Sequence, residues 1–273
     1  MTLVETQLDG RVRIITLNRP EKRNALNEQL MDELERAVHE ADLADEARCI
    51  LIAANGPDFC AGYDIAPTGD SDRVRALETN DVIGDRRRLR RNSRRWQALW
   101  ELDTPTIAQV QGNCIAGGSE LALMCDLVVA AEDARIGFPA VRALGAPPMN
   151  NYPFLFGPRI AKEMVLTGGM LTGRRAYDLG LVNRAEIATE LHTAALRLAH
   201  EVAKIPSELL ALNKAAINHA CEIQGMRAGI ELGYEMDALA HTLPAVKDWL
   251  RTSQTQGLAS ALRERDAPFE REN

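Results

Sequence analysis

The chain has 273 residues, 46% hydrophobic, 26% charged and only 4% aromatic, with 39 acidic against 32 basic side chains for a net charge of −7. At about 150 residues per domain this length allows one large domain or two small ones, and the composition excludes a disordered or collagen-like chain. The acidic surplus favours solubility and argues against nucleic acid as a partner.

An Asp9-Gly10 turn signal separates two β-rich segments, 4–8 and 12–17, which are expected to pair as a hairpin, and Asn18-Arg19-Pro20 ends the second strand. Asn27 is a good N-cap, and Leu30, Leu34, Val38 and Ala41 recur at helical spacing up to residue 45. Cys49–Ala54 is an unbroken apolar run of the kind buried on both faces of a parallel sheet. Residues 56–80 read as a loop. A helix over 85–100 offers Leu89, Trp96, Leu99 and Trp100 to one face and carries seven arginines between 86 and 95. That charge run reads first as a solvated or salt-bridged surface, then as a site for phosphates, and last as a nucleic-acid contact. Segment 106–111 is a strand and Gly112-Asn113 a turn. Gly117-Gly118-Ser119-Glu120 then opens a helix to 125, and a strand follows over 127–131. Residues 135–158, with five prolines, are expected to be irregular, and 161–166 helical. From residue 187 onward the pattern is almost wholly helical, in pieces separated by Pro206, Gly225, Pro244 and Gly257.

The five cysteines, at 49, 60, 114, 125 and 221, are odd in number and form no CxxC pair, which points to buried thiols in a reducing compartment. No basic start followed by an apolar stretch suggests a signal peptide. The longest apolar run, 121–131, is interrupted by Asp126 and too short to cross a bilayer. A cytoplasmic protein without a membrane partner is expected.

The chain contains no GxxxxGK[ST], HExxH or GxSxG, and no GxGxxG between a strand and a helix. Its histidines, at 39, 192, 200, 219 and 241, all fall in predicted helices, where a surface or packing role is expected; no metal is implied. What remains are two small-residue loops after buried strands, Ala61-Gly62-Tyr63 and Ala116-Gly117-Gly118. Small residues let a ligand approach the backbone, and two amides converging on one carbonyl oxygen make an oxyanion hole. Singly, each loop also reads as a tight turn.

Several blocks in order resemble the enoyl-CoA hydratase/isomerase superfamily, the crotonase fold: Leu17-Asn18-Arg19-Pro20 with Asn24-Ala25-Leu26; Phe59-Cys60-Ala61-Gly62-Tyr63-Asp64-Ile65; Ala116-Gly117-Gly118-Ser119-Glu120-Leu121-Ala122; Cys125-Asp126-Leu127; and Ala134-Arg135-Ile136-Gly137-Phe138-Pro139. The resemblance implies an α/β fold: a crotonase-like β-β-α spiral core carrying an acyl-CoA site over 1–200, and a helical C-terminal trimerisation region over 201–273. It implies a homotrimer or a dimer of trimers. Coenzyme A would enter as part of the substrate, with no other cofactor.

Carried over by position, the resemblance makes the backbone N–H groups of Tyr63 and Gly117 the holders of a thioester oxygen, with no role required of the Tyr63 side chain. It makes Glu120 a proton-transfer carboxylate. Arg23, Ala25, Ala61, Gly62, Asp64, Ile65, Gly118, Pro139 and Ala140 are then expected to contact substrate, Arg23 at the nucleotide of CoA. The family's second glutamate is replaced by Ala140, which cannot exchange a proton. The stretch that follows, with Arg142, Gly145-Ala146-Pro147-Pro148, Asn150, Asn151 and Tyr152, departs from the family's glycine-rich pattern and offers other polar groups. Open alternatives are a different thioester-enolate reaction (isomerisation, dehydration, decarboxylation or C–C hydrolysis) and an acyl-CoA binding protein with weak catalysis.

Overall fold

The computed structural model describes residues 2–65, 79 and 81–269. The second half of the loop expected over 56–80 therefore lies outside the described residues, apart from Thr79.

Strands β1 (Val4–Asp9) and β2 (Val12–Leu17) form the antiparallel hairpin, with Val4 opposite Leu17 and Asp9 opposite Val12. Helix α1 (Glu28–Asp42) starts where the Asn27 side chain accepts the Leu30 N–H at 2.9 Å, and it buries Leu30, Leu34, Val38 and Ala41. Strand β3 (Cys49–Ala54) runs parallel to β2 with all six residues buried. Helix α2 (Val82–Glu101) is the arginine-rich one, and β4 (Thr106–Val110) and β5 (Asn113–Ile115) follow it. Next come α3 (Gly117–Leu123), β6 (Leu127–Ala131) and β7 (Arg135–Gly137).

Short helices α4 (Tyr152–Phe156), α5 (Pro158–Thr167) and α6 (Gly173–Asp178) alternate with β8 (Met170–Thr172) and lead to β9 (Arg184–Glu186). Five α-helices follow, α7 (Leu191–Ala203), α8 (Ser207–Ile223), α9 (Met226–Ala240), α10 (Pro244–Gln256) and α11 (Leu258–Asp266), and a 3-10 turn at Ala267–Phe269 ends the described chain. They break where Pro206, Gly225, Pro244 and Gly257 were expected to break them. Among the described residues no helix is long and apolar enough to cross a membrane.

The main sheet has the order β1-β2-β3-β4-β6-β9, parallel from β2 onward, and a second sheet has the order β5-β7-β8. Ile15, Leu17, Ile50, Leu51, Ile52, Ile107 and Val129 form the sheet's share of the core, against Leu30 and Leu34 of α1 and Ala195 and Ala199 of α7. The segment expected to be irregular over 135–158 in fact contains β7, a 3-10 turn at Pro139–Arg142 and α4. β7 forms because it pairs with β5 and β8, strands whose three residues carry no visible periodicity of their own.

The arginines of α2 settle mainly into ion pairs within the chain. Arg91 pairs with Glu28, Arg95 with Glu28, Asp32 and Glu35, and Arg86 with Glu235 of α9. The opposite face buries Leu89, Trp96, Leu99 and Trp100, as the pattern predicts.

One polar node ties the C-terminal helices to the sheet. Lys214 of α8, 7% exposed, donates to the carbonyls of Leu99 and Thr104 at 3.2 and 3.3 Å and pairs with Asp126 at 2.8 Å. The same Asp126 oxygen accepts from the Thr106 N–H at 2.7 Å. Removing one member of a buried pair strands the other, at a cost of about 3–5 kcal/mol. Lys214→Met should therefore lower the unfolding free energy in urea by about that amount, and an unchanged midpoint would contradict this account of how α8 is held.

Candidate active site

Three segments close on one another. The Ala61 N–H donates to the Arg23 carbonyl at 3.0 Å, Leu26 N–H to Gly62 at 2.8 Å, and Asp64 N–H to Leu26 at 2.9 Å. On the other side Cys60 N–H donates to Asn113 at 2.9 Å and Ile115 N–H to Cys60 at 3.1 Å. Two buried side chains clamp the assembly. Asn24 donates to the carbonyls of Asn55 and Asp58, both at 2.9 Å, and Asp58 accepts from the N–H and side chain of Asn113 at 2.8 and 2.6 Å. Asn24 stands in one of the resembling blocks without an implied role; its clamp joins positions over 30 apart in the chain and has no local signal.

The close approach accounts for the glycines. Gly62 has φ +91°, and a Cβ there would lie 3.0 Å from Ala116 Cβ and 3.4 Å from the Gly117 nitrogen. At Gly118 a Cβ would lie 2.4 Å from the Cys60 carbonyl oxygen. Ala116 is held at φ 50°, ψ −123°, a conformation that L-residues rarely adopt and that only a well-determined surround sustains. Among the described residues the N–H groups of Tyr63 and Gly117 donate to no acceptor. Gly117 is the first residue of α3, where an N–H has no partner within the helix.

These loops border a cavity of about 540 Å³. Of the residues expected at the site, Arg23, Ala25, Ala61, Tyr63, Asp64, Ile65, Pro139 and Ala140 line it. Gly62, Gly117, Gly118 and Glu120 lie behind that lining, the first three shaping the backbone. Arg23 is exposed at the rim beside Lys22, and Asp64 is paired with Arg19 at 2.8 Å. The polar candidates after Ala140 turn elsewhere. Arg142 pairs with Asp266 at 2.9 Å, Asn150 lies 3.5 Å from the Gly229 carbonyl, and Asn151 and Tyr152 are buried, the latter 3.1 Å from Ser119 Oγ.

Glu120 is fully buried. The Tyr63 hydroxyl donates to its Oε2 at 3.0 Å and in turn accepts the Trp96 indole N–H at 2.9 Å. The tyrosine side chain, of which the resemblance requires no role, thus lines the cavity and holds this carboxyl. Oε1 of Glu120 has no hydrogen-bond partner among the described residues. Burial pushes the Glu120 carboxyl up to about 8, with the negative charge of Asp237 adding to the effect; the Tyr63 hydrogen bond and the nearby Met149 amide oppose it. Burial and the adjoining Glu120 also raise the Tyr63 phenol well above its usual value. With its carboxyl raised to about 8, this fully buried glutamate holds its proton at neutral pH.

For His241 the sequence leads one to expect a surface or packing role. The structure instead places it in the cavity wall with Arg88 of α2 and Asp237 of α9, brought there by the packing of α9 against α2. Asp237 did not stand out from the sequence, and Arg88 did so only as one of the seven arginines of α2. Among the described residues, no group of three or more His, Cys, Asp or Glu side chains is arranged to hold a metal ion.

The raised carboxyl has a consequence for stability. Between the usual glutamate pKa of about 4.5 and the folded value of about 8, the native state holds a proton that the unfolded chain does not, so stability falls as pH rises through that window. Glu120→Gln removes this dependence. Its thermal midpoint, set against the unaltered protein, should gain as pH rises from 5 to 8; a pH-independent difference would contradict the assignment.

Comparison with known proteins places the chain in a family. The model of the enoyl-CoA hydratase/isomerase family matches residues 8–242. A Mycobacterium bovis protein named "Probable enoyl-CoA hydratase echA8" is 34% identical over 264 residues, covering 96% of this chain and 95% of its own length. Among solved structures, an enoyl-CoA hydratase from Mycobacterium smegmatis superposes with a TM-score of 0.93 at 32% identity, covering 100% of this chain and 96% of that one. An enoyl-CoA hydratase/isomerase from Xanthobacter autotrophicus Py2 gives 0.89 at 32% identity, covering 98% and 99%. The α/β fold with its helical C-terminal region is thus the crotonase fold, and the chain belongs to the enoyl-CoA hydratase/isomerase family of enzymes.

Proposed function

We propose that the chain acts on 2-enoyl thioesters of coenzyme A, adding water across the C2–C3 bond through an enolate held by the N–H groups of Tyr63 and Gly117. The observation that carries this reading is the pair of unused amides at the junction of two loops that the fold forces together. As a nucleophile bonds C3, the C2–C3 π electrons move onto the thioester oxygen. Two fixed donors aimed at that oxygen stabilise the charge without reorganising. C2 then takes a proton, for which the Tyr63–Glu120 pair, protonated at neutral pH, is the source. Lys22 and Arg23 at the rim offer cationic partners for the phosphates of coenzyme A. This chemistry calls for no metal or redox cofactor.

Ala140 favours a second reading, in which the enolate forms but is reprotonated at another carbon, giving isomerisation. Product analysis separates the two: a 3-hydroxyacyl thioester marks hydration and a shifted double bond marks isomerisation.

We further infer a trimer or a dimer of trimers. It is supported by apolar side chains left exposed on α8 and α9, among them Leu209, Leu212, Ile217, Ile223, Leu232 and Leu239. Exposed apolar side chains gathered on neighbouring elements are a mark of protein contact. Sedimentation at micromolar concentration should show a trimer or larger species; a monomer alone would reject this assembly.

Removing an oxyanion-hole donor costs about 10²–10³ in kcat. Gly117→Pro deletes one donor, and the folded variant should lose kcat/KM for crotonyl-CoA by about that factor. Undiminished turnover would remove Gly117 from the assignment.

A further inference from the structure

The cavity wall built by α2 and α9 is charged, buried and connected. Arg88 donates to Asp85 Oδ1 at 2.7 Å, His241 Nδ1 lies 2.6 Å from Asp85 Oδ2, and His241 Nε2 lies 3.5 Å from Asp237 Oδ1. The Ala146 N–H donates to the same Asp237 Oδ1 at 2.8 Å. Both anchors of Asp237 thus fall on one oxygen. Its Oδ2 has no hydrogen bond among the described residues, and the side chain, 5% exposed, lines the cavity together with Arg88 and His241.

The loop that receives this carboxylate is the one that departs from the family pattern. At Gly145 a Cβ would lie 2.2 Å from Asp237 Oδ1 and 3.0 Å from His241 Nε2, so a side chain there would displace the carboxylate, while the next residue's N–H grips it. The same loop begins with Ala140, at the position where the resemblance implies a second carboxylate. A loop that lacks one carboxylate is shaped around another, delivered by a helix almost a hundred residues away.

We propose that Asp237 is the second proton-transfer carboxylate of this cavity, acting from α9 in place of a carboxylate at position 140, with His241, Asp85 and Arg88 as positioning residues. The proposal rests on the 2-enoyl thioester reading above. In hydration, Asp237 Oδ2 takes a proton from water as the water oxygen bonds C3. The C2–C3 electron pair moves to the thioester oxygen and returns as C2 takes a proton from the Tyr63–Glu120 pair. The proton on Asp237 passes to solvent, from which the Tyr63–Glu120 pair is recharged. The net change is the addition of one water.

The groups facing Asp237 are His241, just past the end of its own helix, Asp85 and Arg88 from α2, Glu120 from α3 and the Ala146 amide. Burial raises the Asp237 carboxyl, the charge of Asp85 adding to it and His241, the Ala146 N–H and Arg88 opposing it. Because Asp237 must be ionised to act as base, its titration sets the acidic limb of the kcat profile.

The same network would also serve simply to pin α2 to α9, and kinetics on crotonyl-CoA separates the two roles. Loss of a positioned base costs about 10²–10⁴-fold. Asp237→Asn should lower kcat by that factor with little change in KM, and the acidic limb should vanish from the residual rate. Should Asn not fold at this position, His241→Gln is the substitute. It leaves the carboxylate in place but removes a partner that favours its charged form, so the acidic limb should move to higher pH. Undiminished kcat in folded Asp237→Asn, or an unmoved limb in His241→Gln, would overturn the proposal while leaving the enoyl thioester reading intact. An unaltered protein that binds and converts no enoyl-CoA would overturn both.

Discussion

Burial of one carboxyl group governs this site. Glu120 lies at the end of the first turn of a seven-residue helix, wholly cut off from solvent, where an ionised carboxylate is strongly disfavoured. The surroundings answer that constraint in two ways. They leave the proton on the group, and they cover one oxygen with a phenol whose own oxygen is held by the Trp96 indole. A tyrosine at position 63 is thereby tied to a tryptophan on α2, and the wall of the cavity is fixed by the same hydrogen bonds that bury the acid.

The charged groups nearby follow from the same low-dielectric setting. Asp85 keeps its carboxyl below the usual range although burial works against it, because the hydrogen bond and charge of His241 and the charge of Arg88 outweigh that burial. Asp237 lies on the other side of His241 and is raised, with burial as the leading cause. The cavity thus sets two buried carboxyl groups, Glu120 and Asp237, near one another, each raised by burial. Here one group belongs to the spiral core and the other to the C-terminal helices, so the region that the sequence suggests for assembly also completes the cavity.

Much of the frame was legible in the chain. The hairpin, the buried strand Cys49–Ala54, the Asn27 cap and the breaks at Pro206, Gly225, Pro244 and Gly257 are local events set by periodicity, capping and backbone restriction. The loops around Gly62 and Gly117 were legible because small residues in a familiar order mark a close approach of backbones. The three-residue strands β5, β7 and β8 were not, since each exists only through its partners. Nor was the Asp85–His241 contact, which joins positions 156 apart, or the grip of Ala146 on Asp237 across 91 residues. A histidine at the end of an amphipathic helix looks the same in sequence whether it faces solvent, core or cavity.

The central claim is that Glu120 stores a proton at neutral pH, and infrared difference spectroscopy of the intact protein against Glu120→Gln reads it directly. The carbonyl stretch of a protonated carboxyl is separate from the bands of carboxylates, so the group can be titrated without substrate. The account predicts that the protonated band of Glu120 persists through neutral pH and gives way to the carboxylate near 8. A Glu120 already ionised at about pH 6, near the ordinary glutamate range, would contradict it.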